Sequence, residues 1–126
     1  MIKSRLFICL LLAAGNALAL DFDKLYQSWS DAPIGTYSSD KGAELWNYEM
    51  FPGKSCSSCH GDDLTKPGRH TRTNKVIKPL SPSANTGRLT KEKKINKWLK
   101  RNCKFTYKRV CTAEEKISFI EFIRNN

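Results

Sequence analysis

Two cysteines and a histidine lie close together near the middle of the chain, in the run Cys56-Ser57-Ser58-Cys59-His60. This spacing is that of c-type haem attachment, in which two thiols add to the vinyl groups of haem and the adjacent histidine binds its iron. A redox-active CxxC pair would need a thioredoxin-like βαβ context, and a zinc site would need another ligand pair nearby. The sequence offers neither context. It therefore predicts one covalent haem c on Cys56 and Cys59, with His60 as the proximal iron ligand.

The sixth iron ligand is less obvious. Small cytochromes c commonly supply a methionine from the chain after the haem motif, but Met50 is the only methionine beyond residue 19 and it precedes the motif. Met50 is expected to fill the core instead. His70 is the next candidate, because it lies in the loop after His60 and would give a bis-histidine site. A hydrogen bond to a haem propionate and simple exposure are its other interpretations.

Asn102 is a third candidate, because it continues the apolar side of a predicted helix. Ile95, Trp98 and Leu99 form that side, and position 102 lies one helical turn beyond Trp98 and Leu99. A buried asparagine needs hydrogen-bond partners. Its amide would either satisfy the end of this helix or present its carbonyl oxygen to the iron, and periodicity alone favours the helix end.

Cys103 and Cys111 are close enough in the sequence to form a disulfide. They enclose residues 104 to 110, which are predicted to join the third and the last helix. Closing so short a loop is expected to stabilise the fold by about 2–3 kcal/mol and to hold Asn102 at a fixed distance from the haem. Two reduced thiols are the alternative, and an oxidising compartment argues against it.

The beginning of the chain has the features of a Sec signal peptide. Two basic residues stand near its start, residues 6 to 14 are apolar and residues 17 to 19 (Ala-Leu-Ala) match a cleavage site. The apolar run is too short to span a bilayer. We therefore expect residues 1–19 to be removed, and residues 20–126 to form one soluble, monomeric monohaem cytochrome c domain in the periplasm.

The chain is strongly basic, with a formal net charge of +10 at pH 7. Such a charge suits nucleic acid, an anionic membrane or an acidic protein, and export argues against nucleic acid. We expect lysines to steer docking with an acidic redox partner, and a solvated basic surface is the alternative. Arg69, Arg72 and Lys75 crowd the loop after the haem motif, where they would either pair with haem propionates or face solvent.

Four helices are predicted to position these residues. The first covers residues 20 to 29 with Asp21 as its cap, and the second runs from a cap at Ser39 or Asp40 to about Phe51. The apolar sides of all four helices together are too small to make a large core. A buried porphyrin would add the missing apolar contact.

The other two helices lie in the second half of the chain. The third follows a cap at Thr90 and covers residues 91 to 102, and the last begins with a capping box formed by Thr112 and Glu115. Loops are predicted over residues 31 to 39 and 61 to 89. The expected fold is therefore all-α.

Taken together, these motifs resemble the sphaeroides haem proteins, or SHP-type cytochromes c. The resemblance runs over about residues 56 to 122 and is carried by five segments: Cys56-Ser-Ser-Cys-His60, Pro67-Gly-x-His70-x-Arg72-Thr73-x-Lys75, Pro79-Leu-Ser-Pro82-Ser83-x-Asn85, Lys97-Trp98-Leu-x-Arg101-Asn102-Cys103 and Cys111-Thr-x-x-Glu115-Lys116. It implies a class I cytochrome c-like fold, with four or so helices around one covalently attached haem. It also implies Asn102 as the distal ligand of oxidised iron, followed by the disulfide cysteine Cys103.

The resemblance also has functional implications. An asparagine oxygen is a hard, weak ligand that binds ferric iron and leaves on reduction, so that ferrous iron can bind O2, NO or CO. A dihaem cytochrome c or a membrane cytochrome b is implied as the electron donor. An oxygen- or nitric oxide-reacting terminal haem protein is one interpretation. The alternative is a plain electron carrier whose iron stays six-coordinate, for example through His60 and His70.

Overall fold

A computed structural model describes residues 18–30 and 38–126 of the chain. The predicted signal peptide, apart from its last two residues, and most of the predicted loop over residues 31 to 39 lie outside the described residues. Within those ranges the fold consists of five helices and one two-stranded sheet. In chain order the elements are α1 (Phe22–Gln27), α2 (Ser39–Asn47), α3 (Ser57–His60), β1 (Gly68–Arg69), β2 (Val76–Ile77), α4 (Glu92–Tyr107) and α5 (Ala113–Arg124).

The predicted starts of the first and last helices are confirmed. Asp21 caps α1, because its side chain accepts a hydrogen bond of 3.0 Å from the backbone N–H of Lys24. α5 begins with the predicted capping box: Thr112 Oγ1 accepts from the Glu115 N–H at 3.2 Å, and the Glu115 carboxylate accepts from the Thr112 N–H at 2.9 Å. Both caps satisfy backbone donors that have no partner inside the helix.

The predicted cap of α2 is wrong by one or two residues. Ser38, rather than Ser39 or Asp40, precedes the helix, and its Oγ accepts from the Lys41 N–H at 3.1 Å. The backbone of Ser38 is extended, with φ −129° and ψ 151°. That conformation lets a short side chain reach the first unpaired N–H groups of the helix.

α2 also ends earlier than predicted, at Asn47 instead of Phe51. The backbone of Tyr48 is extended, and the chain then enters a turn in which the Lys54 N–H donates to the Phe51 carbonyl at 3.0 Å. Pro52 restricts the residue before it to extended conformations. A helix therefore cannot continue to Phe51.

The predicted cap of α4 is wrong as well. The Thr90 hydroxyl donates to the carbonyl of Gly87 at 3.2 Å instead of accepting from the helix. Lys91 occupies the cap position, and its side chain makes no capping hydrogen bond. α4 begins at Glu92, whose carboxylate lies in the first turn, where negative charge is favourable.

The C-terminal end of α4 lies beyond the predicted end at Asn102 and Cys103. The helix continues to Tyr107, and Lys108 ends it in the left-handed conformation with φ 59°. Thr106 and Tyr107 are buried, so they extend the buried side of the helix past the disulfide cysteine. Asn102 consequently lies inside a helix and not at its end.

The predicted loop over residues 61 to 89 contains β1 and β2, which pair antiparallel. Each strand has two residues, too few for a sequence pattern to reveal. A Cβ atom on Gly68 would collide with the carbonyl oxygen of Cys59. The hairpin backbone therefore lies directly against α3, and only glycine permits that approach.

Buried side chains from α1, α2, α4 and α5, and from the segments between α3 and α4, form one hydrophobic cluster. Its members include Leu25, Tyr26, Trp46, Leu64, Leu80, Ile95, Leu99, Tyr107, Ile117, Phe119, Ile120, Phe122 and Ile123. In the part of the chain that the structure describes, no helix has the length and apolar character needed to cross a membrane. The predominantly helical fold agrees with the all-α prediction.

Gly42 allows α2 to pack closely on α5. A Cβ atom at this position would collide with the carbonyl oxygen of Ser118 and with Cβ of Phe122. These atoms belong to the backbone of α5 or adjoin it, so they cannot rotate away. The absence of a side chain at Gly42 thus determines how near the two helices come.

Gly42→Ala is therefore expected to lower the free energy of unfolding of the haem-loaded protein by about 1–3 kcal/mol, as overpacking does. Gly87→Ala is the matched control, because a Cβ there meets only Asn85 Oδ1, at 3.6 Å. Thermal unfolding followed by far-ultraviolet circular dichroism compares the two variants. Equal melting temperatures for both would contradict the close helix contact.

Candidate haem site

The haem-attachment motif folds as a single short helix. The His60 N–H donates to the Cys56 carbonyl at 3.1 Å, which brings both ends of the motif together. Ser55, which is buried, stabilises the turn, because its Oγ accepts from the Ser58 N–H at 3.1 Å and its carbonyl accepts from Ser58 Oγ at 2.7 Å. Gly61 then leaves the helix with φ 70°, a conformation that favours glycine.

α3 borders a cavity of about 530 Å³. This volume falls within the range of about 300–1,000 Å³ that is usual for ligand and cofactor sites. The residues that line it are Trp46, Ser55, Cys56, Cys59, His60, His70, Arg72, Ile77, Arg88, Trp98, Arg101, Asn102, Phe105 and Thr106. Five of the predicted site residues, Cys56, Cys59, His60, Arg72 and Asn102, therefore share one cavity.

Cys56 and Cys59 are half-buried free thiols on the wall of this cavity. Cys56 Sγ lies 3.8 Å from the hydroxyl of Tyr107, which itself donates to the Leu45 carbonyl at 2.8 Å. Cys59 Sγ accepts from the Thr71 N–H at 3.5 Å. Burial raises the pKa of the Cys56 thiol to about 11. The contacts with Tyr107 and Thr71 orient the two sulfur atoms from other segments of the chain.

His60 is neutral at physiological pH. Burial, together with the charges of Arg88 and His70, lowers its pKa to about 4. A neutral imidazole has the free lone pair that metal binding requires. The Trp46 ring lies 5.5 Å from the His60 ring, and Trp46 Nε1 donates to the Gly61 carbonyl at 2.9 Å. Trp46 therefore supports both the histidine and the end of α3, a role that sequence analysis missed.

Asn102 lines the cavity from α4, with its amide held in one orientation. Nδ2 donates to the carbonyl of Trp98 at 2.8 Å. Only the NH2 end of the amide can donate to a carbonyl, so Oδ1 is the atom left for another partner. No described residue donates a hydrogen bond to Oδ1. The interpretation of Asn102 as a helix-end residue is wrong, because α4 continues to Tyr107.

The predicted disulfide is confirmed between Cys103 and Cys111, whose Cα atoms lie 5.6 Å apart. Both residues are buried. The segment between them was predicted to be a loop, which is wrong for residues 104 to 107, because α4 includes them. The disulfide therefore links a residue inside α4, next to Asn102, to the beginning of α5.

Two other ligand candidates have different surroundings. His70 lines the cavity, but its Nδ1 accepts from the N–H groups of Arg72 and Thr73, both at 3.2 Å. In the neutral ring the proton then lies on Nε2, which can donate to a ligand or solvent but has no lone pair for iron. Met50 is 36% exposed, so the prediction that it fills the core is wrong.

The three basic residues of the loop are placed differently from one another. Arg72 lines the cavity, whereas Arg69 Nη1 donates to the Asn74 carbonyl at 2.9 Å within the hairpin turn. Lys75 is exposed, and its carbonyl accepts from the His70 N–H at 2.9 Å. Sequence analysis missed Arg88, an isolated arginine in a segment without periodicity, which also lines the cavity.

Comparison with known proteins identifies relatives of the chain. A protein-family model described as a domain of unknown function, DUF1924, matches residues 33–123. The cytochrome c-type protein SHP of Cereibacter sphaeroides is 36% identical to the chain over 95% of the chain and 97% of the relative. The chain belongs to the SHP-type cytochromes c. The resemblance predicted from the motifs is thereby confirmed.

Solved structures agree with this membership. A structure described as oxidised SHP, an oxygen-binding cytochrome c, matches this SHP-type chain with a TM-score of 0.72 and 33% identity, over 86% of the chain and 99% of that structure. Oxidised cytochrome c'' from Methylophilus methylotrophus matches with a TM-score of 0.67 and 26% identity, over 80% of the chain and 90% of that structure. The predicted class I-like, helical fold is confirmed.

The residues of the cavity fit the cofactor of SHP-type cytochromes. Two thiols with the spacing of haem attachment and a neutral imidazole border one cavity, and the aromatic rings of Trp46, Trp98 and Phe105 supply apolar contact. This chain is accordingly a c-type haem protein, in which Cys56 and Cys59 are placed for covalent attachment.

Proposed function

We propose that this protein is an exported haem protein in which His60 and Asn102 bind the oxidised iron. Asn102 leaves on reduction, and the freed position accepts O2, NO or CO. The observation that carries the proposal is the Asn102 amide, which borders the same cavity as His60 and has Nδ2 engaged while Oδ1 lacks a described donor. Arg72, in the turn of the hairpin, is a candidate contact for a haem propionate. Arg69 and Lys75 belong to the same hairpin and are further candidates.

The properties of Asn102 support release on reduction. When bound, haem supplies an iron that changes between ferric and ferrous states and takes axial ligands. The Asn102 oxygen is neutral and hard, so it binds ferric iron better than ferrous iron. The bond from Nδ2 to the Trp98 carbonyl lies within α4 and does not depend on the iron. Asn102 therefore keeps a hydrogen-bond partner after its oxygen has left the metal.

The relatives supply a second line of support. The solved SHP structure is described as that of an oxygen-binding cytochrome c. A solution structure of Methylophilus methylotrophus cytochrome c'' is described with reference to haem-ligand detachment. We carry both properties to this chain as parts of the proposal: a haem ligand that detaches, and a diatomic that replaces it.

A plain electron carrier is the second candidate function, and His70 is the residue that favours it. His70 lines the same cavity as His60. Against this role, its Nδ1 accepts from two backbone N–H groups, so the neutral ring carries its proton on Nε2 and offers no lone pair to iron. We therefore favour Asn102 over His70 as the distal ligand.

An acidic redox partner in the periplasm, such as a dihaem cytochrome c or a membrane cytochrome b, is part of the proposal. Lys54 Nζ and Lys108 Nζ lie 5.7 Å and 5.9 Å from the ring centroid of Phe105, a cavity-lining residue. The charge of Lys54 lowers the pKa of Lys108, because the two ammonium groups repel each other. A carboxylate of the partner would relieve that repulsion close to the haem. The chain would dock as a monomer.

The test is the absorption spectrum of the ferric and the dithionite-reduced protein, before and after addition of carbon monoxide. We expect the reduced wild type to be high-spin and to bind carbon monoxide rapidly. Asn102→Ala should change the ferric spectrum and leave the reduced carbon monoxide complex intact, whereas the control His70→Ala should leave both unchanged. A reduced protein that stays low-spin and takes up no carbon monoxide would instead establish the electron carrier.

A further inference from the structure

Arg88 is a half-buried cation at the edge of the haem cavity. Its Nε donates to the Pro79 carbonyl and its Nη2 to the Lys78 carbonyl, both at 2.9 Å. Burial lowers the pKa of Arg88, and none of the ion pairs among the described residues includes it. Its positive charge is therefore only partly compensated, by two neutral carbonyl groups.

The segment that holds Arg88 is anchored in the core. The N–H groups of Leu80 and Ser81 donate to the Leu64 carbonyl at 3.1 and 3.0 Å, and all three residues are buried. Asn85 Nδ2 donates to the same Pro79 carbonyl as Arg88, at 3.2 Å. The carbonyl groups that bind the guanidinium consequently cannot shift much, and its orientation is set before any ligand arrives.

The cavity contains no anion of its own to match Arg88. None of the described residues that line it is an aspartate or a glutamate. A guanidinium has five N–H donors, of which Arg88 uses two on backbone carbonyls. The remaining donors suit a planar carboxylate, which guanidinium groups bind through paired hydrogen bonds. A half-buried charge without such a partner would be costly.

We propose that Arg88 binds a propionate carboxylate of the haem and thereby raises its reduction potential. A cation next to the haem opposes the additional positive charge of ferric iron, so it favours the reduced state. Arg69 and Arg72 are weaker candidates, because both are exposed and Arg69 does not line the cavity. Exposed ion pairs contribute little in water.

The experiment uses the holoprotein with haem propionates carrying ¹³C at the carboxyl carbon, obtained by feeding labelled 5-aminolaevulinate. Redox-difference infrared spectra report the carboxylate bands, and spectroelectrochemistry reports the potential. In Arg88→Gln we expect one labelled carboxylate band to move to the position of a solvated carboxylate. We also expect the potential to fall, with the ratio of reduced to oxidised protein at a fixed potential decreasing about tenfold, or about 59 mV.

Two further variants keep the test decisive. Arg88→Lys retains the charge without the paired donors, so it should keep most of the potential and still shift the band. Lys93→Gln removes an exposed charge on α4 outside the cavity and should alter neither measurement. The proposal is wrong if the potential falls in Arg88→Gln without any band shift, or if the bands respond only to Arg69→Gln or Arg72→Gln. It is also wrong if Arg88→Gln changes neither measurement.

Discussion

A chain in which both Cys56 and Cys59 are replaced by alanine is expected to carry no covalent haem and to lose its stable fold after export. The expected loss of haem is complete, since no other free cysteine is found among the described residues. Haem would then be an ordinary ligand whose stabilisation depends on its free concentration. The cavity of about 530 Å³ would open into a small core that has few other means of stabilisation.

Covalent haem in the double variant is measured by haem staining after denaturing electrophoresis, and folding by circular dichroism of the purified protein. Ser57→Ala is a suitable control, because Ser57 lies within the motif and, among the described residues, its hydroxyl is hydrogen-bonded to Ser55 Oγ alone, at 2.9 Å. It should retain full haem content. If the double variant still stained for haem, the assignment of these thiols would be refuted. If the double variant without haem were as stable as the wild type, the structural role of the cofactor would be refuted.

Chemistry encoded in consecutive residues was predictable from sequence, because it does not depend on the rest of the fold. The five residues from Cys56 to His60 carry the whole signal for haem attachment. The cap of α1 and the capping box of α5 are likewise local, and both were found where predicted. In each of these features, the interacting residues lie within about one helical turn of each other, so the sequence alone contains the whole pattern.

The features that sequence analysis missed depend on contacts between distant segments. The prediction ended α4 near Asn102, whereas Tyr107 extends it by donating from its hydroxyl to the carbonyl of Leu45 on α2. The hydrophobic periodicity of the sequence cannot reveal such a contact, so it could not exclude the hypothesis that Asn102 lies at the end of the helix. Arg88 is a similar case, because its role depends on where the Pro79 carbonyl points.

Asn102→His is expected to convert the protein into a carrier whose iron remains six-coordinate in both oxidation states. Imidazole binds ferrous as well as ferric iron, whereas an amide oxygen binds ferrous iron poorly. The reduced variant should therefore take up carbon monoxide at least about 100-fold more slowly than the wild type. Such a factor corresponds to about 2.7 kcal/mol of added ligand stability. Stopped-flow mixing of the reduced protein with carbon monoxide measures it.

Asn102→Ala is the matched control for this variant, since it removes the ligand without providing another, and its reduced form should bind carbon monoxide as rapidly as the wild type. The disulfide next to position 102 makes the comparison stringent, because it holds this part of α4 to the beginning of α5. A histidine here cannot escape the cavity by unwinding the helix. If Asn102→His bound carbon monoxide as fast as Asn102→Ala, the side chain at 102 would not reach the iron, and His70 would become the distal ligand to test.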